Sequence, residues 1–493
     1  MSNAILTMTG LPSFKNIKPE HVEEAIALTL NDNREKLNKL LQQKKYTWEN
    51  LIAPLAEMED RLSQRWSPVS HLNAVMNNEK LRTAYNKCLP KLSEYATEMG
   101  QHKALFAAYR SIAESEAYKE FNTSQQQMIT NALRDFRLSG IDLEEANRQR
   151  FGEIKKRLSE LTSKYSENVL DATQAWEKHI SNSAELAGLP QSALDSAQQL
   201  AQQKDKPGFI INLEFPSYLP VMTYCENRKL REELHKVFVT RASAISPSGS
   251  NWDNSVIMLE ILGLRYELAQ LLGFKNYAEL SLATKMADNT QAVFNFLNEL
   301  AARSQPFAQQ EYKELNLFAK KIDQLEVLEA WDVAYYSEKL RQQKYDISQE
   351  ELRPYFPVST VLDGLFEIAK RLYGIAITAN QNMETWHNDV QCFDISDKTG
   401  ETIARFYIDL YARENKRGGA WMDECKVRRR DNKGNIQLPV AYLVCNFTSP
   451  VGDKPALLSH NEVTTLFHEF GHGLHHMLTQ VDVAAVSGIN GVP

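Results

Sequence analysis

Phe467-His468-Glu469-Phe470-Gly471-His472-Gly473-Leu474-His475-His476 contains the pattern His-Glu-x-x-His. On a helix, His468 and His472 lie one turn apart and share a face, where both imidazoles can reach one metal ion. Glu469 beside them is placed to take a proton from metal-held water, which makes this a zinc-hydrolase signature. Average residue frequencies give such a pattern by chance about one time in a hundred in a chain this long. Ser459 and Glu462 form a capping box that starts a helix just ahead of the motif. Val463, Leu466, Phe467, Phe470, Leu474, Met477 and Leu478 then trace an apolar stripe, with the two histidines at its margin. Gly471 and Gly473 each cost about 1 kcal/mol in a helix interior relative to alanine, so another element is expected to approach the backbone closely there.

A catalytic zinc takes three protein ligands and an open position. A metzincin would carry glycine at position 475 and histidine at 478, whereas this chain has His475 and Leu478. The third ligand is therefore expected from elsewhere, a glutamate on a following helix being the usual solution. Asp482 follows the motif but would point away from the metal on a continuing helix. His460, His475 and His476 fall off the ligand face and suit supporting or solvent-exposed roles. The plain alternative makes His468 and His472 ordinary helix-surface histidines; the cap, the stripe and the strands upstream argue against it.

Working outward, most of the chain reads as helix. Val22, Ile26, Leu30, Leu37 and Leu41 space a first apolar stripe behind Pro19, and Trp48, Leu51, Leu55, Met58 and Leu62 a second. The longest regular run starts near Glu144 and carries Phe151, Ile154, Leu158, Leu161, Tyr165 and Val169. Phe209-Ile210-Ile211 suggests a short strand, and a second helical block runs from about Glu226 to Lys370. After about Asn380 the character changes: 391–397, 404–411 and 440–447 read as strands between Gly-containing turns. The expectation is a mainly α fold with a small β-sheet next to the HExxH helix. It divides into an N-terminal helical region 1–145, a central helical region 146–375 and a catalytic region 376–493. A free strand edge near the metal could hold a peptide in extended form.

Of 493 residues, 43% are hydrophobic and 24% charged, and the net charge is −7. The acidic balance argues against nucleic acid or an anionic membrane surface as a partner. No apolar run is long enough to span a membrane, and residues 1–30 lack the pattern of a secretory signal. Cys88, Cys225, Cys392, Cys425 and Cys445 are scattered without a CxxC pair, which suits reduced thiols in a cytoplasm.

The motif in its full form resembles that of the thimet oligopeptidase and neurolysin family of zinc metallopeptidases. The likeness runs almost end to end. It includes Leu133-Arg134-Asp135-Phe136, Tyr165-Ser166-Glu167-Asn168-Val169-Leu170-Asp171, Arg265-Tyr266-Glu267-Leu268-Ala269, Trp386-His387-Asn388-Asp389-Val390 and Phe406-Tyr407-Ile408-Asp409-Leu410-Tyr411-Ala412-Arg413. The resemblance implies a two-lobed helical zincin-type oligopeptidase with Zn2+ on the floor of a deep channel. Short unstructured peptides would enter it, cleaved signal peptides and other fragments among them, and folded proteins would not. It makes His468 and His472 the metal ligands and Glu469 the base for attack of metal-bound water. The family's third ligand, a glutamate, and its oxyanion-stabilising tyrosine and histidine would fall beyond Pro493. This chain is accordingly expected to be truncated and poorly active alone, with part of the motif helix's apolar surface lacking a packing partner. The alternatives are a noncatalytic peptide-binding protein that retains the channel, and a helical scaffold in which the motif is incidental. Oligomeric state has no signature in the sequence.

Overall fold

The apolar stripes become helices that bury the residues spacing them. In a computed structural model describing residues 3–452 and 454–492, the first stripe forms the helix Pro19–Leu40, with Val22, Ile26, Leu30 and Leu37 buried. The second begins as a π-helical turn, Trp48–Ile52, and continues as the helix Ala53–Val75. The run near Glu144 is the helix Glu145–Gln174, 30 residues long. It is not the longest, contrary to the reading above: Thr290–Asp323 has 34 residues. That helix carries its apolar residues on one face, which is buried at Leu315, Phe318 and Ala319 but exposed at Phe294, Leu297 and Phe307.

Phe209–Asn212 is a strand, paired antiparallel with Glu177–Ile180. The expected sheet is larger than its three legible strands. It contains β1 (Ala376–Ala379), β2 (Gln391–Ser396), β3 (Thr402–Tyr411), β4 (Trp421–Lys426) and β5 (Val440–Phe447), in the order β1-β2-β3-β5-β4. Only β3 and β5 run parallel. The two unforeseen strands are the edges. β1 is short and largely exposed, and β4 carries Asp423 and Glu424, charges that an edge strand tolerates and that hide its alternation.

Period-two alternation gives the sheet two buried faces. Phe406, Ile408 and Leu410 of β3, with Leu443 and Cys445 of β5, pack against the helix Val358–Tyr373 and against the motif helix, His460–Met477. The opposite face, with Tyr407 and Tyr442, meets Val22, Ile26, Val69 and Leu72 of the N-terminal helices. The fold is thus mainly α, with one mixed sheet held between helical layers.

On the N-terminal side His71 is 2% exposed, stacked on Tyr442 at 3.8 Å and edge-on to Trp386 at 4.2 Å. Neither ring nitrogen has a hydrogen-bond partner among the described residues. Burial pulls its pKa down to about 3, so the folded state keeps it neutral. The unfolded chain takes up this proton as pH falls below about 6.5, so the associated stability is lost between pH 6.5 and 3. His71→Phe should flatten the pH dependence of urea unfolding in that window. It should also stabilise the protein at pH 7 by about 1–3 kcal/mol, because two buried unpaired nitrogens disappear.

The motif helix does not carry the uncovered apolar surface expected of it. Leu466, Phe470 and Met477 are buried, and Val463, Phe467, Leu474 and Leu478 pack against the same core. Large exposed apolar residues are frequent instead on the helix Ser255–Leu271 and on Thr290–Asp323, with Leu259 71% and Phe307 69% exposed. No helix among the described residues is long and apolar enough to cross a membrane.

Candidate metal centre

The motif helix starts where its cap dictates. Ser459 Oγ accepts from the Glu462 backbone N–H at 3.2 Å, and the Glu462 carboxylate accepts from the Ser459 N–H at 2.7 Å. A second Glu462 oxygen accepts from the Thr448 N–H at 3.2 Å, tying the helix start to the end of β5. Gly473 lets the helix settle on the sheet: a Cβ there would stand 3.0 Å from Leu443 Cδ2. Gly471, in contrast, meets nothing within 4 Å, so only one of the two glycines marks a close approach within this chain.

His468 and His472 are exposed on the helix flank, with their Nε2 atoms 3.2 Å apart and their rings nearly perpendicular. At metal–nitrogen distances of about 2.05 Å, that gap corresponds to an N–metal–N angle of roughly 100°, close to tetrahedral. Two imidazole lone pairs converging on a cation explain the approach as well as a shared proton would. Glu469 is 9% exposed, and its carboxylate has no hydrogen-bond partner among the described residues. It is therefore free to accept from a water held at the histidine pair. The donors and spacing fit zinc as two of three ligands. Among the described residues no third His, Cys, Asp or Glu joins them.

The remaining candidates are accounted for. Asp482 pairs with Arg428 at 3.0 Å and with Arg430 at 2.5 Å, which holds it away from the histidines. His475 is exposed, and His460 lies at the helix start near Phe356. His476 is fully buried and bonds through Nε2 to the Lys426 carbonyl at 2.9 Å. It thus fastens the motif helix to the end of β4, a supporting role. None of the five cysteines is paired, and all are buried.

A buried charge cluster that sequence reading did not single out lies beneath this arrangement. Asp409 on β3 accepts from both terminal nitrogens of Arg413 at 2.7 and 2.6 Å, from Trp386 Nε1 at 2.9 Å and from Lys416 Nζ at 2.7 Å. Lys416 Nζ also donates to the Tyr411 and Cys445 carbonyls, each at 2.7 Å. Burial pushes the Asp409 carboxyl up, but the Arg413 bonds and the Lys416 charge outweigh it and hold the pKa at about 2. The cluster clamps β3 to β5 next to Cys445, whose thiol burial raises and Glu469's charge raises further. The only hint in the sequence was that Asp409, Arg413 and Lys416 fall within one strand and the turn after it.

β4 pairs with β5 on one side only; no strand covers its outer edge among the described residues. Its far end is engaged by His476 at Lys426 and by Ser67 at the Glu424 carbonyl, leaving Trp421 to Asp423 open.

A helix-borne histidine pair, a buried carboxylate beside it and a sheet with a free edge strand define a metallopeptidase of the zincin kind. Residues 221–493 match the model of Peptidase family M3, and residues 26–148 that of the Neurolysin/Thimet oligopeptidase N-terminal domain. The chain belongs to peptidase family M3. It is 55% identical over 493 residues to Oligopeptidase A of Haemophilus influenzae, covering 100% of this chain and 72% of that protein. It is 54% identical to Oligopeptidase A of Escherichia coli strain K12, covering 100% of this chain and 73% of the relative. A crystal structure described as an oligoendopeptidase F from Bacillus anthracis strain Ames shares the fold, with a TM-score of 0.50 at 15% identity. That match covers 93% of this chain and 66% of the other.

Proposed function

We propose that this chain is the metal-binding part of a zinc-dependent endopeptidase acting on short unstructured oligopeptides, peptide fragments and cleaved signal peptides among them. His468 and His472 serve as two ligands, and a third, a glutamate, comes from outside residues 1–493. The observation that carries the reading is the 3.2 Å approach of the two Nε2 atoms beside an unbonded, buried Glu469. Zinc held there would polarise the scissile carbonyl and acidify a water. Glu469 takes a proton from that water as the water attacks the carbonyl carbon, then delivers it to the departing amine nitrogen. The open edge of β4 orients the peptide backbone by main-chain hydrogen bonds, so that one peptide bond faces the histidines.

With two ligands in place of three, zinc affinity and turnover of residues 1–493 alone are low. The wider architecture is proposed as two lobes flanking a channel, with 1–145, 146–375 and 376–493 as its sequence divisions. The first and third of these share a core across the sheet. Five unpaired buried cysteines support a reducing, cytoplasmic setting.

Cleavage of a quenched fluorescent octapeptide, compared with a folded protein carrying the same sequence in a structured loop, tests the reading. Hydrolysis of the peptide only, abolished by a chelator and restored by zinc, is expected. Chelator-insensitive hydrolysis would count against it. The want of a third ligand among the described residues favours one further reading, a noncatalytic peptide binder. Peptide affinity without turnover at any zinc concentration, unchanged in Glu469→Gln, would select it.

A further inference from the structure

Next to the start of the motif helix lies a cavity of 760 Å³. The helix Glu145–Gln174, the segment around Phe215–Tyr224 and the loop between β3 and β4 enclose it together with Ser459 and Thr465. Its walls divide by chemistry. Phe215, Leu219 and Phe238 make an apolar side, with Phe215 55% exposed. The other side is cationic.

Five basic side chains line the space, and three are already committed. Arg353 bonds to Glu350 at 2.7 Å and to the Leu457 carbonyl at 2.8 Å. Arg413 and Lys416 belong to the Asp409 cluster. Arg241 and Arg417 are different: among the described residues, neither guanidinium donates a hydrogen bond to a carboxylate. Each lies over an aromatic ring instead, Arg241 on Phe238 at 3.8 Å and Arg417 on Trp421 at 4.1 Å. Burial makes the charged form of both less favourable than in water, offset in part by Tyr218 at Arg241, which has no carboxylate near among the described residues, and by Asp423 and Tyr85 at Arg417. The acids on the cavity wall do not neutralise them. Glu462 is used in the helix cap, and Glu214 is itself raised by burial, with Asn212 as its hydrogen-bond partner. Two half-desolvated planar cations, held flat by aromatic rings and facing one cavity, form a ready receptor for a carboxylate.

The sheet fixes which end of a peptide arrives there. A peptide added antiparallel to the free edge of β4 runs against the direction Trp421 to Lys426, so its C-terminal end lies towards Trp421. Beyond Trp421 come Ala420, Gly419, Gly418 and Arg417, all lining the cavity. Asn446 Nδ2 secures this loop by donating to the Arg417 carbonyl at 2.9 Å and the Gly419 carbonyl at 2.6 Å.

We propose that this cavity recognises a carboxylate on the C-terminal side of the bound peptide, through Arg241 and Arg417, while the Phe215–Leu219–Phe238 wall takes an apolar side chain. The assignment rests on the peptide-binding reading above. The carboxylate is either the chain terminus or an acidic side chain close to it, and the preference it creates is for peptides ending a few residues past the cleaved bond.

Fluorescence anisotropy with the full 493-residue chain tests this, because it needs binding but no turnover. The probes are N-terminally fluorescein-labelled hexapeptides of alanine ending in leucine, made as free acid, as amide, and as amide with glutamate next to last. The free acid should bind about ten- to a hundred-fold more tightly than the plain amide. If the glutamate amide recovers that advantage, the side chain serves as well as the terminus; if it does not, the terminus alone is read. In Arg241→Gln and Arg417→Gln the acid-to-amide ratio should fall towards one. In Arg241→Lys and Arg417→Lys part of the preference should return, and thermal unfolding by circular dichroism checks that each variant is folded. Measurable but equal affinities for acid and amide, or a ratio that survives the double glutamine substitution, would overturn the assignment and leave the peptide-binding reading standing. Absence of affinity for all three peptides would overturn both.

Discussion

Glu469→Gln should slow peptide hydrolysis at the histidine pair by about a hundred- to ten-thousand-fold while leaving zinc uptake and thermal stability nearly unchanged. The side chain is almost fully buried and has no hydrogen-bond partner among the described residues, so no structural bond is lost on substitution. Glutamine keeps the volume and the acceptor oxygen but cannot carry a proton from the attacking water to the leaving amine. The comparison is a ratio of initial rates at saturating zinc and high protein concentration, since the unsubstituted chain is itself expected to turn over slowly. Equal rates for the two proteins would remove Glu469 from the chemistry. A variant that no longer binds zinc would mean that the carboxylate shapes the site and does not act within it.

Asp409→Ala should destabilise the fold by about 3–5 kcal/mol, the largest single-residue stability effect expected here. Removing the carboxylate strands Arg413 and Lys416, the latter with a fully buried side chain and only carbonyl partners left. It also deprives the Trp386 indole of its acceptor. The native carboxyl titrates near 2, below its ordinary value of 3.8. Its stabilising share is therefore complete above about pH 3.8 and lost as pH falls towards 2, a dependence that the alanine variant lacks. Urea unfolding across pH 2–5 measures both effects. A loss smaller than about 1 kcal/mol at pH 7 would mean that the cluster is not the clamp between β3 and β5 described above.

The parts of this molecule that could be read from its sequence are those in which one physical rule acts alone. The capping box at Ser459 and Glu462 needs only local geometry, and the helix begins there. The histidines at helical spacing meet as expected, because a rigid helix places side chains one turn apart side by side. β3 and β5 read as near-continuous apolar runs because both faces of the sheet are buried, on opposite sets of helices. Where two influences compete, the signal fades. β4 is an edge strand whose charges mask its period, and the apolar face of Thr290–Asp323 is covered only towards its C-terminal end, at Leu315, Phe318 and Ala319. The charged members of the Asp409 cluster are near in sequence, but their burial and outer contacts, such as Arg413 against the Val75 carbonyl at 3.0 Å, and the rings packed on neutral His71 come from far along the chain. Several stretches quoted for family resemblance act at a distance in the same way. Asp171 pairs with Arg82 at 2.7 Å, and Glu267 with Arg150 at 2.6 Å, so they hold helices together and stand apart from the histidine site.

The central claim is that His468 and His472 bind one metal ion together. A competition titration of zinc against a chromophoric chelator, run on the 493-residue chain and on His468→Ala and His472→Ala, addresses it most directly. One site per chain is predicted, weaker by orders of magnitude than a three-ligand zinc site and lost in both variants. Zinc uptake that persists in either variant, or no uptake by the unsubstituted chain at any concentration short of precipitation, would contradict it.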